Sequence, residues 1–110
     1  MNIRIDGARP QDDAERGILA FIEESIAIRH DLHRHPELSL TETRTAALIA
    51  RYLLSFGYEV TEGVGGHGVV ATLRRGHGEK RLGIRADIDA LPIHEETGLA
   101  YASGTPGIMH

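Results

Sequence analysis

The hydrophobic period of this chain changes once, from about four residues before Gly57 to two after it, which dictates a helical first half followed by strands. Ile18, Ile22 and Ile26 recur every four residues and, with Leu19 and Leu32, make one helical stripe. Asp12 followed by Glu15 has the spacing of an N-cap and a carboxylate three residues on, where both can satisfy free backbone N–H groups. Pro36 should end this helix, because its ring disfavours helical geometry at His35. Ser39 and Glu42 repeat the capping pattern, the pairs Leu48–Tyr52 and Ile49–Leu53 follow, and Gly57 offers the left-handed residue that closes a helix. A second helix is therefore expected over about residues 40–56.

Three strands are expected next, at Tyr58–Glu62, Val69–Arg74 and Arg81–Asp87. Val69, Ala71 and Leu73 alternate with Val70, Thr72 and Arg74, the pattern of a half-buried strand. The turn Arg75-Gly76-His77-Gly78 predicts that the last two pair as a hairpin. After Asp89 the chain is punctuated as a loop by Pro92, Thr97-Gly98, Ser103-Gly104 and Pro106-Gly107. The fold class is α/β: two helices followed by three strands of a mixed sheet, with the helices covering it. Residues 1–10 read as a mobile lead-in, and residues 11–110 as one unit.

Composition excludes several functions. The net charge of −4, with cations scattered between acids, argues against binding nucleic acid or an anionic membrane. With no Cys there is neither a disulfide framework nor a thiolate metal site. The first residues lack a signal-peptide pattern and no apolar run reaches membrane-spanning length, so the cytoplasm is the expected location.

Candidate chemistry gathers at Arg85, Asp87 and Asp89, which share one face if the third strand runs through. Carboxylates at the end of an apolar strand can bind a metal, orient a ligand or position a nucleophile. Structurally, the same residues allow Asp87 to cap the loop and Asp89 to pair with Arg85. His30 and His33 lie on one helical face and could present two imidazoles to zinc, but His and Arg also complement the end of a helix. Gly63-Val64-Gly65-Gly66-His67-Gly68 matches a dinucleotide fingerprint, yet that motif needs a helix opening at its last glycine, and Val69–Leu73 reads as strand. An inter-strand turn is expected there instead. An aspartyl phosphotransferase built on Asp87 and Asp89 is disfavoured by the Ala90-Leu91-Pro92 that follows.

Three segments together resemble one family: Arg29-His30-Asp31-Leu32-His33-Arg34-His35-Pro36-Glu37-Leu38-Ser39, Gly83-Ile84-Arg85-Ala86-Asp87-Ile88-Asp89-Ala90-Leu91-Pro92, and Gly107-Ile108-Met109-His110. They look like the amidohydrolase branch of the aminoacylase, hippurate hydrolase and auxin-conjugate hydrolase metallopeptidases. The resemblance implies the amino-terminal portion of a zinc-exopeptidase-like catalytic domain over residues 11–110, without the inserted dimerisation domain. It implies a full-length parent that hydrolyses N-acyl or N-aroyl amino acids with two divalent ions (zinc, manganese or nickel), and that forms a homodimer or homotetramer. Arg85, Asp87 and Asp89 would support the active site. Arg85 stands where related peptidases have a ligand histidine, and His110 matches a histidine that flanks the ligand motif. The metal ligands and the catalytic glutamate are then expected after His110, so these residues alone should hold no metal stably and turn over nothing. The alternative is a non-catalytic interaction or oligomerisation module made from the shortened fold.

Overall fold

The computed structural model describes residues 13–110; the Asp12 cap and the lead-in over residues 1–10 lie outside them. The chain forms α1 (Asp13–Arg34), α2 (Thr43–Ser55), β1 (Glu59–Val64) and β2 (Gly68–Thr72). α1 stops where Pro36 requires. The His35 N–H still reaches the carbonyls of Asp31 and Leu32, both at 3.2 Å, and the helix goes no further. His33 and Arg34 occupy its last turn, where positive charge suits the helix dipole.

α2 begins later than the Ser39 pattern suggests, and its cap comes from elsewhere. The Thr41 N–H and hydroxyl both donate to the Leu38 carbonyl, at 3.0 and 2.7 Å, so residues 38–41 turn, with Leu40 at φ 68°. Glu42 takes the N-cap position without a side-chain cap bond. The Glu37 carboxylate caps instead: Oε1 accepts the Arg44 N–H at 3.0 Å and Oε2 the Thr45 N–H at 2.7 Å. A carboxylate reaching two free amides at the positive end of a helix outcompetes a neutral hydroxyl. The far end follows expectation, with Gly57 at φ 82° and the Tyr58 N–H on the Leu53 carbonyl at 3.0 Å.

β1 and β2 pair antiparallel, with Glu59 opposite Thr72 and Val60 opposite Ala71, so the hairpin joins the first two expected strands. The glycine run makes their turn. Gly63, Gly65 and Gly66 take positive φ, and a Cβ on Gly68 would collide with the Val64 carbonyl oxygen. β2 starts at Gly68, so no helix N-terminus is there to meet a pyrophosphate.

The third expected strand requires correction. Arg81–Asp87 forms no ladder and does not pair with β2, so the sheet has two strands. A strand exists only where a neighbour takes its backbone groups, and residues 75–80 do not fold this segment back onto the free edge of β2. Leu82 and Ile84 are consequently 87% and 88% exposed. Pairing resumes as isolated bridges, Leu38 with Ala90 in parallel and Leu91 with Met109 antiparallel. The α/β class holds.

Only small side chains are buried among the described apolar residues: Ala46, Ala50 and Ala90. α2 packs on both strands, and Phe21 of α1 meets Phe56, the residue after α2, edge-to-face at 5.3 Å. The stripe Ile18, Ile22 and Ile26 remains exposed. The radius of gyration is 17.2 Å, against about 13 Å for a compact domain of this length. The shape is open because much apolar surface has no neighbour.

Replacing Gly68 by Ala should destabilise the chain by about 1–3 kcal/mol in denaturant unfolding, since backbone must move. Gly83→Ala, with open space around it, serves as the near-neutral control. Glu37→Ala should cost about 1–2 kcal/mol by loss of the α2 cap.

Candidate functional site

The end of α1 is a polar junction. Arg44 Nη2 donates to both oxygens of Asp31, at 3.0 and 2.7 Å, and this bond holds the Asp31 carboxyl below its usual range. His35 Nδ1 lies 2.9 Å from the Asp31 carbonyl oxygen. At Glu37, burial acts to raise the carboxyl, but the Arg44 and Thr45 N–H groups outweigh it and leave the pKa low.

Around this junction the three motif segments meet. The Glu37 carbonyl accepts the Ala90 N–H at 2.8 Å, which joins the first motif to the second. Leu91 and Met109 exchange two backbone hydrogen bonds, at 2.8 and 3.0 Å, which joins the second to the third. The Gly104 N–H reaches the Arg34 carbonyl at 2.8 Å, a close approach in which a Cβ on Gly104 would crowd that oxygen. The His110 ring lies 6.4 Å from that of His33 and interacts with the Asp89 backbone. Burial and then the nearby His33 hold the His110 pKa down, against an opposing pull from Asp89.

His33 and His30 do not form a metal pair. His33 Nε2 lies 3.0 and 3.1 Å from the two oxygens of Glu95, whose side chain is only 4% exposed. The Ser103 N–H donates to the same carboxylate at 2.6 Å, and the Thr97 hydroxyl donates as well. The Ser103 amide first, then Thr97, drive the Glu95 pKa down to about 2 against the opposing effect of burial. His30 stacks on Tyr101 at 3.7 Å with Arg29 over the same ring at 5.4 Å. Nothing in the local pattern around Glu95 or Tyr101 marks them in the sequence, since the partners of Glu95 on α1 stand 62 residues away.

Arg85 and Asp87 bond to each other at 2.8 Å, at side-chain exposures of 89% and 74%. Arg85 thus takes Asp87, not Asp89, as its partner. Asp87 nonetheless lines an open cavity of about 400 Å³ whose walls include Ile28, Leu32, Ile49, His33 and His110. Asp89 is half-buried.

No family model matches the chain. It is 49% identical over 83 residues to a hippurate hydrolase of Campylobacter jejuni, spanning 76% of this chain and 22% of that protein. With the N-acetyl-L-cysteine deacetylase of Bacillus subtilis it shares 39% over 118 residues, or 96% of this chain and 28% of the relative. A dinuclear metal-binding peptidase of the M20 family from Bacillus subtilis superimposes with a TM-score of 0.77 at 42% identity, over 84% of this chain and 26% of its own. In sequence and fold the chain matches the aminoacylase and hippurate hydrolase family of metallopeptidases. It spans about a quarter of the length of these family members. An aminohydrolase structure from Staphylococcus aureus agrees, with a TM-score of 0.80 at 44% identity over 86% of this chain and 25% of that one.

Among the described residues, no group of three or more His, Cys, Asp or Glu side chains is arranged to hold a metal ion. No helix among them is long and apolar enough to cross a membrane.

The low Glu95 pKa sets a pH dependence. Its folded value lies near 2 and its ordinary value at 4.5. Its contribution to stability is therefore complete above pH 4.5 and lost as pH falls through the folded value. The Ser103 amide resonance should follow that acid transition, and Glu95→Gln should flatten it.

Proposed function

We propose that this chain is the amino-terminal portion of a metal-dependent amidohydrolase that cleaves the amide bond of N-acyl or N-aroyl amino acids. The observation that carries the reading is the convergence of the three motif segments, tied by the Glu37–Ala90 and Leu91–Met109 hydrogen bonds beside the cavity that Asp87 lines. The hippurate hydrolase and the N-acetyl-L-cysteine deacetylase support the substrate class, since their substrates are an N-aroyl and an N-acetyl amino acid. Two divalent ions belong to this reading, with zinc, manganese and nickel as candidates, and their ligands would lie outside residues 13–110.

In this role Asp87 and Asp89 support the site, and Arg85 orients Asp87 through their 2.8 Å bond. The whole protein would be a cytoplasmic homodimer or homotetramer. Hippurate and N-acetyl amino acids, offered with manganese or zinc, should stay intact with the 110-residue chain and be cleaved by a longer polypeptide, of the relatives' full length, that carries it. Turnover by the short chain, or none by the metal-loaded long one, overturns the reading. In the long polypeptide Asp87→Asn should lower activity or metal affinity about 10–100-fold.

A second reading, an oligomerisation module, is favoured by the exposed Leu82 and Ile84 on an unladdered segment. Two copies of Arg81–Asp87 laid antiparallel about Ile84 set Arg81 opposite Asp87 twice and gather Leu82, Ile84 and Ala86 on one face. Light scattering across a concentration series separates the two. A saturable dimer that Ile84→Lys abolishes supports the module, and a monomer throughout eliminates it.

A further inference from the structure

We infer that Glu95 is a positioning residue: by drawing Ser103, Thr97 and His33 onto one buried carboxylate, it docks the loop of residues 92–108 on the end of α1 and keeps the Leu91–Met109 clasp closed. The functional importance of that clasp rests on the reading above; the docking itself does not.

The loop leaves at Leu91 and returns at Met109, so its ends are joined by just two backbone hydrogen bonds. Two such bonds are a weak closure for a long loop, whose ordering entropy must be offset by contacts elsewhere along it. Glu95 supplies those contacts in one place. Its carboxylate receives the Ser103 N–H at 2.6 Å and the Thr97 hydroxyl from within the loop, and lies 3.0 Å from His33 Nε2 on α1. The neighbouring bonds extend the grip. Ser103 Oγ donates to the Thr105 carbonyl at 3.0 Å and accepts the Thr105 N–H at 3.1 Å, and the Gly104 N–H takes the Arg34 carbonyl at 2.8 Å. Tyr101, between Thr97 and Ser103, stacks on His30 and meets the His33 ring edge-on at 5.6 Å.

At 4% exposure the carboxylate has little water to fall back on, so these donors are its solvation. Removing it leaves His33 and the Ser103 N–H without their shared partner and loosens the loop, whose other ties to the helix are the Gly104–Arg34 bond and the Tyr101–His30 stack. The consequence appears at a distance. The clasp sets Met109, hence His110, beside the Asp89 backbone, and so fixes one wall of the cavity. Glu95 makes no bond to any of these groups and acts on them through the loop.

The test is amide hydrogen exchange by NMR on the full 110-residue chain, comparing wild type, Glu95→Gln, Glu95→Ala and His33→Ala. In Glu95→Ala the Leu91 and Met109 amides should exchange about tenfold faster or more, while the β1–β2 amides stay within about threefold. Glu95→Gln should fall between, because its side-chain carbonyl still accepts from Ser103. The His110 ring resonances should shift in Glu95→Ala, and adding His33→Ala to it should change the clasp less than the single variants sum to. Unchanged exchange at Leu91 and Met109 overturns the inference. So does acceleration that the β1–β2 amides match, since that makes Glu95 a residue of general stability. Neither outcome touches the hydrolase reading, which stands or falls on substrate cleavage by the longer polypeptide.

Discussion

Glu37 is the residue on which the rest of this structure depends, because its side chain and its backbone serve two different partners. The carboxylate occupies the amino terminus of α2, where two free N–H groups and the helix dipole await a negative charge. The carbonyl of the same residue takes the Ala90 N–H. One residue therefore fixes the start of the second helix and the place where the acid-bearing segment returns to the first. Pro36 makes this possible by stopping α1 one turn before Glu37 would be drawn into it. The contact of Arg44 Nη2 with both Asp31 oxygens then ties the first turn of α2 back to α1, across partly exposed side chains where charge contributes little.

Polar anchoring of this kind carries an unusual share of the load because the apolar core is slight. Among the described residues the buried apolar side chains are alanines, the stripe on α1 is exposed, and Leu82 and Ile84 lie open. Area removed from water is the usual source of stability, and here little of it is removed around α1 and the 81–87 segment. What holds residues 90–110 against α1 is a set of directional bonds, each modest and each dependent on its neighbours being in place. Solved relatives match this chain closely over about a quarter of their own length.

The parts of the fold legible in the sequence are those governed by neighbours in the chain. Pro36, Gly57 and the glycine run at 63–68 act through their own backbone, so the helix ends and the hairpin turn follow from them directly. The cap of α2 is not legible locally, because Ser39-x-x-Glu42 and Glu37 compete for the same helix start and only the turn over residues 38–41 decides between them. The third expected strand fails for a different reason. Alternation and apolar character describe what a segment can do, whereas a strand also needs a partner, and Arg81–Asp87 has none among the described residues. At the site, the motif residues were legible and the connections between them were not. Glu95 and Tyr101 sit in a loop with no periodicity, and their partners on α1 are set by the path of the loop through space.

The bonds between motifs give the resemblance a physical content that motif matching lacks. His-Pro-Glu-Leu-Ser, Arg-Ala-Asp-x-Asp-Ala-Leu-Pro and Gly-x-Met-His could each serve separate local purposes. Instead the backbone of Glu37 bonds to that of Ala90, and the backbone of Leu91 to that of Met109. Substituting a side chain at Ala90 or Met109 would leave those bonds formally possible, so the constraint on these segments is one of conformation more than of chemistry. The second motif carries Asp87 and Asp89 to the point where the other two converge. A carboxylate can serve a reacting centre only if the backbone that bears it is held, and in this chain the holding is done from both sides, by Glu37 on the helix side and by the Met109 return on the other.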